Sequence, residues 1–190
     1  MAAYPPDEVA DHLAARIAQL HVGRAAADGV NTRLTSATTW HVTLVFLGEV
    51  REHRLDDVRT AVGVAIGGAV ADGRPPPILR VAGGGHFGRG NFTVLWAGLT
   101  GDVPLLTELA LGVRRALRRA RVPYDEKPPR PHLTLARPGG RLPPTDIAAD
   151  IAALDGYAGP QWTVDRVRLM RSHLGPKPTY DELGAWGLRP

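Results

Sequence analysis

The chain has 190 residues, with 23 Lys and Arg against 19 Asp and Glu, for a formal net charge of +4. That length suits one domain or two small lobes sharing a core and excludes a large multidomain machine, while 44% hydrophobic and 22% charged residues exclude overall disorder. With no cysteine in the chain, disulfides, thiolate nucleophiles and Cys-ligated zinc or iron–sulfur sites are excluded. No apolar run approaches the roughly 18 residues of a membrane span. The segment Met1-Ala2-Ala3-Tyr4-Pro5-Pro6 carries no leader pattern, so a cytoplasmic protein is expected. Only Lys127 and Lys177 are lysines, and an arginine-rich surface suits phosphate oxygens.

In chain order, Val9, Leu13, Ile17 and Leu20 at helical spacing predict a helix over 7–20, with Asp7 as its N-cap. Residues 33–47 read as extended, ending in a strand from His41 to Leu47, and Gly48-Glu49 turns the chain. Leu55, Val58, Val62, Ile66 and Ala69 predict a second helix over 55–70. Strands at 78–81 and 92–99 flank a Gly-rich turn at 83–90. A strong helix is predicted over 104–121, with Leu105, Leu109, Val113, Leu117 and Ala120 inside and Arg114, Arg115, Arg118 and Arg119 mostly outside. Pro128–Pro131 leads into a strand from His132 to Ala136. A short helix at 145–154 and a strand at 162–170 follow, and the tail reads as loop-rich. This order predicts an α+β fold rather than a doubly wound parallel sheet.

One tetrapeptide pattern occurs twice: His41-Val42-Thr43-Leu44 and His132-Leu133-Thr134-Leu135. Strand side chains alternate faces, so each His shares a face with its Thr while the apolar residues anchor the other side. Two such strands across a cleft bring two imidazoles and two hydroxyls to one small anion. A neutral imidazole can take a proton from water while a protonated one gives a proton to a leaving oxygen. The Thr hydroxyls can hold the phosphate oxygens. This chemistry needs neither metal nor cofactor. Phe46, in register with Trp40 rather than His41, is expected at the core or the cleft rim, with base stacking as the lesser reading.

With its flanks, the pattern resembles the 2H phosphoesterase superfamily, and within it the RNA 2′,3′-cyclic phosphodiesterases also called 2′-5′ RNA ligases. The resemblance rests on Trp40–Val50, Val94–Leu99, Arg130–Arg137 and a tail with Leu169, Ser172 and Tyr180 like that family's C-terminal strand pair. It implies one unit over 1–190, with two pseudo-symmetric lobes of antiparallel sheet, outer helices and the active site in the groove between them. It also implies that His41 is the acid for the leaving 3′ oxygen and His132 the base for water. Thr43 and Thr134 would bind phosphate, Arg137 would contact substrate, and the product would be a 2′-phosphate. RNA ends or nucleotides bearing 2′,3′-cyclic phosphate are the expected partners of a monomer. Against the family pattern, the strand ahead of Pro5-Pro6 is only a stub, and exposure of a sheet edge is expected from it.

Other signals carry less. Gly83–Gly88 fits G-x-G-x-x-G but precedes a strand, so a hairpin is expected there, with His86, Arg89 and Asn91 near a bound RNA end as the lesser reading. His12, His21 and His53 read as solvated, and His173 as a lesser candidate for the cleft. Two alternatives to RNA-end hydrolysis stay open: a non-catalytic module that binds RNA termini, and an enzyme for small cyclic phosphates or 2′-5′ oligonucleotides.

Overall fold

Pro5 and Pro6 end the first extended segment, and helix α1 (Asp7–Ala18) begins directly after them. Its N-cap is Pro6, not Asp7; Asp7 and Glu8 occupy the first turn, where the helix dipole favours negative charge. The computed structural model describes residues 1–173 and 179–189. A short helix not expected from periodicity, α2 (His21–Ala27), follows. Its first amides, on His21 and Val22, donate to the carboxylate of Asp150 at 2.7 and 3.0 Å. Asp150 is fully buried on α5 (Pro144–Asp155), so the cap comes from a part of the chain invisible to local reading. Helices α3 (Leu55–Ala71) and α4 (Val103–Arg119) lie where expected. The inner stripe of α4 is Leu106, Ala110, Val113 and Leu117, so Leu105 and Leu109 are only half-buried. The α4 apolar face is wide, and packing against α3 selects the stripe that goes inside.

The strands form two four-stranded sheets. The first has the order β2-β1-β7-β8, from β1 (Ala2–Ala3), β2 (Val42–Thr43), β7 (Arg166–His173) and β8 (Thr179–Gly187). The second has the order β5-β4-β3-β6, from β3 (Ile78–Phe87), β4 (Val94–Gly101), β5 (Leu133–Ala136) and β6 (Ala158–Thr163). Every pairing in both is antiparallel. Helix α3 lies against β8 in the first sheet, while α5 lies against β3 and α1 against β6 in the second.

Five expectations are corrected. The stub is no edge: β1 sits between β2 and β7, pairing Ala2 with both Thr43 and Arg168. Its shortness limits β2 to two residues, where the sequence suggested a strand from 41 to 47. The Gly-rich segment belongs mostly to a strand, since β3 runs to Phe87. A Cβ at Gly84 would meet Leu154 at 2.6 Å and one at Gly85 would meet the Trp96 ring at 2.2 Å, so these glycines admit close neighbours on both faces of β3. The strand expected over 162–170 is two strands in different sheets. Trp162 and Val164 are buried, then Val167 and Leu169, and this shift of phase marks the crossing from one sheet to the other. The tail is a hairpin strand, β8, in agreement with the family resemblance rather than the loop reading.

Candidate functional site

Each motif strand is anchored by its alternate residues. Val42, Leu44, Leu133 and Leu135 are buried, and His41, Thr43, His132 and Thr134 are half-buried on the opposite face. The motifs lie on different sheets, close enough that a charge on His132 disfavours one on His41.

Both imidazoles are fixed in the same way. Nδ1–H of His41 donates to the carbonyl of Thr39 at 2.8 Å, and Nδ1–H of His132 donates to the carbonyl of Arg130 at 2.6 Å. A carbonyl can only accept, so the proton of the neutral ring is held on Nδ1. Nε2 is left as the atom that can bind or release a proton. In both motifs the carbonyl belongs to the residue two before the His, so the local geometry is repeated with the sequence.

The surroundings differ. His41 stands between two tyrosines, with ring centroids 5.7 Å from Tyr4 and 5.8 Å from Tyr180. The Arg168 guanidinium lies 5.1 Å over the Tyr4 ring and 3.5 Å from the Glu182 carboxylate. His132 sits in an aromatic corner, edge-on to Phe87 at 5.0 Å and 6.1 Å from Trp96. Burial lowers the pKa of His41 from its ordinary value; the hydrogen bond to Thr39 opposes this, and the N-terminal ammonium and then His132 add smaller lowering effects. Burial raises the pKa of Tyr4, which keeps its hydroxyl protonated.

Among the described residues the hydroxyls of Thr43 and Thr134 make no hydrogen bond, and Arg137 has no carboxylate within ion-pair distance. Arg137 is exposed at the end of β5. Tyr4, Tyr180, Phe87 and Trp96 stand against the two imidazoles, with Arg168 over Tyr4, and the motifs alone do not reveal them. The spacing of Ser172, Met170 and Arg168 on β7 would place them on one strand face, which is the available signal for Arg168.

Other histidines fall outside the groove. His86 alternates with Gly85 and Phe87, so it faces away from His132. His173 pairs with Asp181 at 2.7 Å on the face opposite Ser172. His12 and His21, expected to be solvated, bond to Tyr157 and Asp150 at 2.8 and 2.9 Å. Phe46 is 61% exposed and lies outside the core. Among the described residues no three His, Asp or Glu side chains are grouped to hold a metal ion, and no helix is long and apolar enough to cross a membrane. An open groove of ≈ 280 Å³ between α3 and α4 is lined by Gly68, Gly112, Arg115 and Arg119 among others and holds none of the motif residues.

Comparison with known proteins gives this geometry a context. The RNA 2′,3′-cyclic phosphodiesterase of Thermus thermophilus is 34% identical over 158 residues, covering 78% of this chain and 72% of its own. The crystal structure of TT0787, also from Thermus thermophilus, superposes with a TM-score of 0.71 at 27% identity, covering 99% of this chain and 96% of its own. E. coli LigT, crystallised with ATP, shares the fold with a TM-score of 0.67 at 22% identity over 100% of this chain and 96% of its own. A family model described as the 2′-5′ RNA ligase superfamily matches residues 5–176, and the chain belongs to that superfamily.

Proposed function

We propose that this enzyme opens 2′,3′-cyclic phosphates at RNA ends or on nucleotides, giving 2′-phosphates, without a metal ion. The observation that carries the reading is the repeated clamp: two imidazoles on two sheets, each with Nδ1 bound to a carbonyl and Nε2 left for proton transfer. The phosphodiesterase relative from Thermus supports the substrate class.

Motif position gives His132 the water and His41 the leaving oxygen. Water attacks phosphorus and its proton passes to Nε2 of neutral His132. The bond from phosphorus to O3′ breaks, and O3′ takes the proton from Nε2 of protonated His41. The product has a 2′-phosphate and a free 3′-hydroxyl. Thr43 and Thr134 hydroxyls donate to the non-bridging oxygens, and Arg137 adds positive charge on the second lobe. Burial works against a proton on His41, and the negative charge of the bound cyclic phosphate favours its return. The substrate thus helps to charge its own acid. With a 5′-hydroxyl in place of water, the same attack on phosphorus, with O3′ leaving, joins ends through a 2′–5′ linkage. One chain supplies both motifs, so a monomer suffices.

The test is hydrolysis of a nucleoside 2′,3′-cyclic monophosphate in EDTA, with the product isomer resolved. His41→Ala and His132→Ala should each lose about 10²–10⁴-fold in rate, the usual contribution of one acid or base. Activity lost in EDTA and restored by zinc would overturn the metal-free mechanism. Absence of turnover on this substrate and on a cyclic-ended oligonucleotide, with RNA binding unchanged in the double variant, would leave a binding module.

A further inference from the structure

Strand pairing carries one more residue onto the face that bears the first motif. Ala2 pairs with Thr43 on one side and with Arg168 on the other. Directly paired residues point to the same side of a sheet, so Arg168 faces the groove together with His41 and Thr43. Between Thr43 and Arg168 in this row stands only the methyl group of Ala2. The Arg168 side chain is 37% exposed, and its guanidinium lies over Tyr4, whose ring is itself against His41. Nε of Arg168 is 3.5 Å from the Glu182 carboxylate, and among the described residues its two outer nitrogens have no hydrogen-bond partner. An ion pair this exposed is worth little, so it orients the side chain without committing it.

The outer nitrogens of a guanidinium form a planar fork that matches two oxygens of one phosphate. In the hydrolytic reading the reacting phosphate lies between the imidazoles and the two Thr hydroxyls. Arg168 stands one side chain away from that place, with Tyr4 as the neighbour it shares with His41. A ribose that carries a 2′,3′-cyclic phosphate has one other position for an anion, the phosphate on O5′. We infer that Arg168 binds this O5′ phosphate, and that the groove thereby favours nucleotides phosphorylated at O5′ over cyclic nucleosides with a free 5′-hydroxyl. The terminal nucleotide of an RNA carries the group as a diester and a 5′-phosphorylated nucleotide carries it as a monoester. Both offer the two free oxygens that the fork takes. The two guanidiniums then divide the work: Arg137 on the second lobe serves the reacting phosphate, and Arg168 on the first serves its neighbour. The contact reads phosphate and no base, so it adds a preference for charge at one position without a preference for sequence.

This inference rests on the hydrolytic reading above, and its test separates the two. Wild type, Arg168→Met and Arg168→Lys are compared for kcat/KM on three substrates: a nucleoside 2′,3′-cyclic phosphate with a free 5′-hydroxyl, the same compound with a 5′-phosphate, and a dinucleotide ending in the same cyclic nucleotide. In the wild type the second and third should be preferred to the first. Arg168→Met, which keeps the bulk of the side chain and removes its charge, should lower that preference about 10- to 100-fold, the usual worth of hydrogen bonds to a charged group. Arg168→Lys, with a charge but no fork, should keep part of it. Loss on the 5′-phosphorylated nucleotide alone would identify the monoester as the ligand, and loss on the dinucleotide alone the RNA diester. An unchanged preference would overturn the inference, as would an equal loss on all three substrates, which is the mark of a side chain that only supports Tyr4. Calorimetric binding of a nucleoside 2′,5′-bisphosphate against the 2′-monophosphate gives a readout independent of turnover. If the wild type hydrolyses none of the substrates, the hydrolytic reading fails, while tighter binding of the bisphosphate that is lost in Arg168→Met still supports the O5′ phosphate contact and equal binding refutes it.

Discussion

Asp150→Ala tests how far the fold depends on a cap delivered from a distant part of the chain. The Asp150 carboxylate is fully buried and accepts the amides of His21 and Val22 and Nδ1–H of His21, at 2.7, 3.0 and 2.9 Å. Alanine removes all three bonds and leaves the Val22 amide, on a residue with no exposed surface, without an acceptor. Each buried group left unsatisfied costs about 1–3 kcal/mol. The His21 ring is partly exposed and can regain water, so the two amides dominate and about 2–6 kcal/mol is expected. At about 2–4 °C per kcal/mol for a chain of this size, Tm should fall by roughly 4–24 °C. Urea unfolding followed by circular dichroism measures the loss directly. A loss below about 1 kcal/mol would refute the reasoning, because it would mean that α2 does not depend on this cap. The site lies away from both motifs, so turnover at a temperature where the variant stays folded should be kept.

Two further outcomes follow from the groove. In an NMR titration of the imidazole signals, His41 should titrate below the ordinary value of about 6.5, and saturating inorganic phosphate should move it upward; a free-enzyme midpoint at or above about 6.5 would refute the role given to burial. The unfolded chain then binds this proton before the folded one as pH falls, so the contribution of His41 makes stability rise with pH between its lowered value and about 6.5. Gly85→Ala should cut kcat/KM about tenfold or more and cost about 1–3 kcal/mol of stability, because a Cβ 2.2 Å from the Trp96 ring must displace a wall of the His132 corner. Wild-type kinetics in this variant would show that Trp96 does not hold His132 in place.

The parts of the site that follow from alternation were legible in the sequence. Each His-x-Thr needs only a period of two to put its side chains together, and the apolar residues between them anchor the strand wherever it packs. What sequence could not supply was the partner. The amides of Leu44 and Val45, just ahead of exposed Phe46, bond to the Met1 carbonyl at the start of the chain, and the tyrosines beside His41 come from both ends of it. The Asp150 cap on α2 is equally non-local. The Gly-rich stretch looked like a turn because glycine is common there, but Leu154 and Trp96 crowd its two faces, and crowding is a tertiary fact. The crossing at Val164–Asp165 was readable in principle from the phase shift between Trp162/Val164 and Val167/Leu169. Only Asp165-Arg166 separates the two β-forming runs, too short a break to mark the crossing by itself.

The strand order β2-β1-β7-β8 bears on how the molecule is built. The second sheet draws all four strands from residues 78–163, whereas in the first Ala2 pairs with Arg168. During synthesis the strands of the His132 wall are all available while β7 and β8 are still to be made. The His41 wall must wait to close a loop spanning most of the chain, a contact of high sequence separation that slows folding. A chain interrupted before residue 166 would have one motif in a complete sheet and the other in a sheet lacking half its strands, so the groove arises in a single late step.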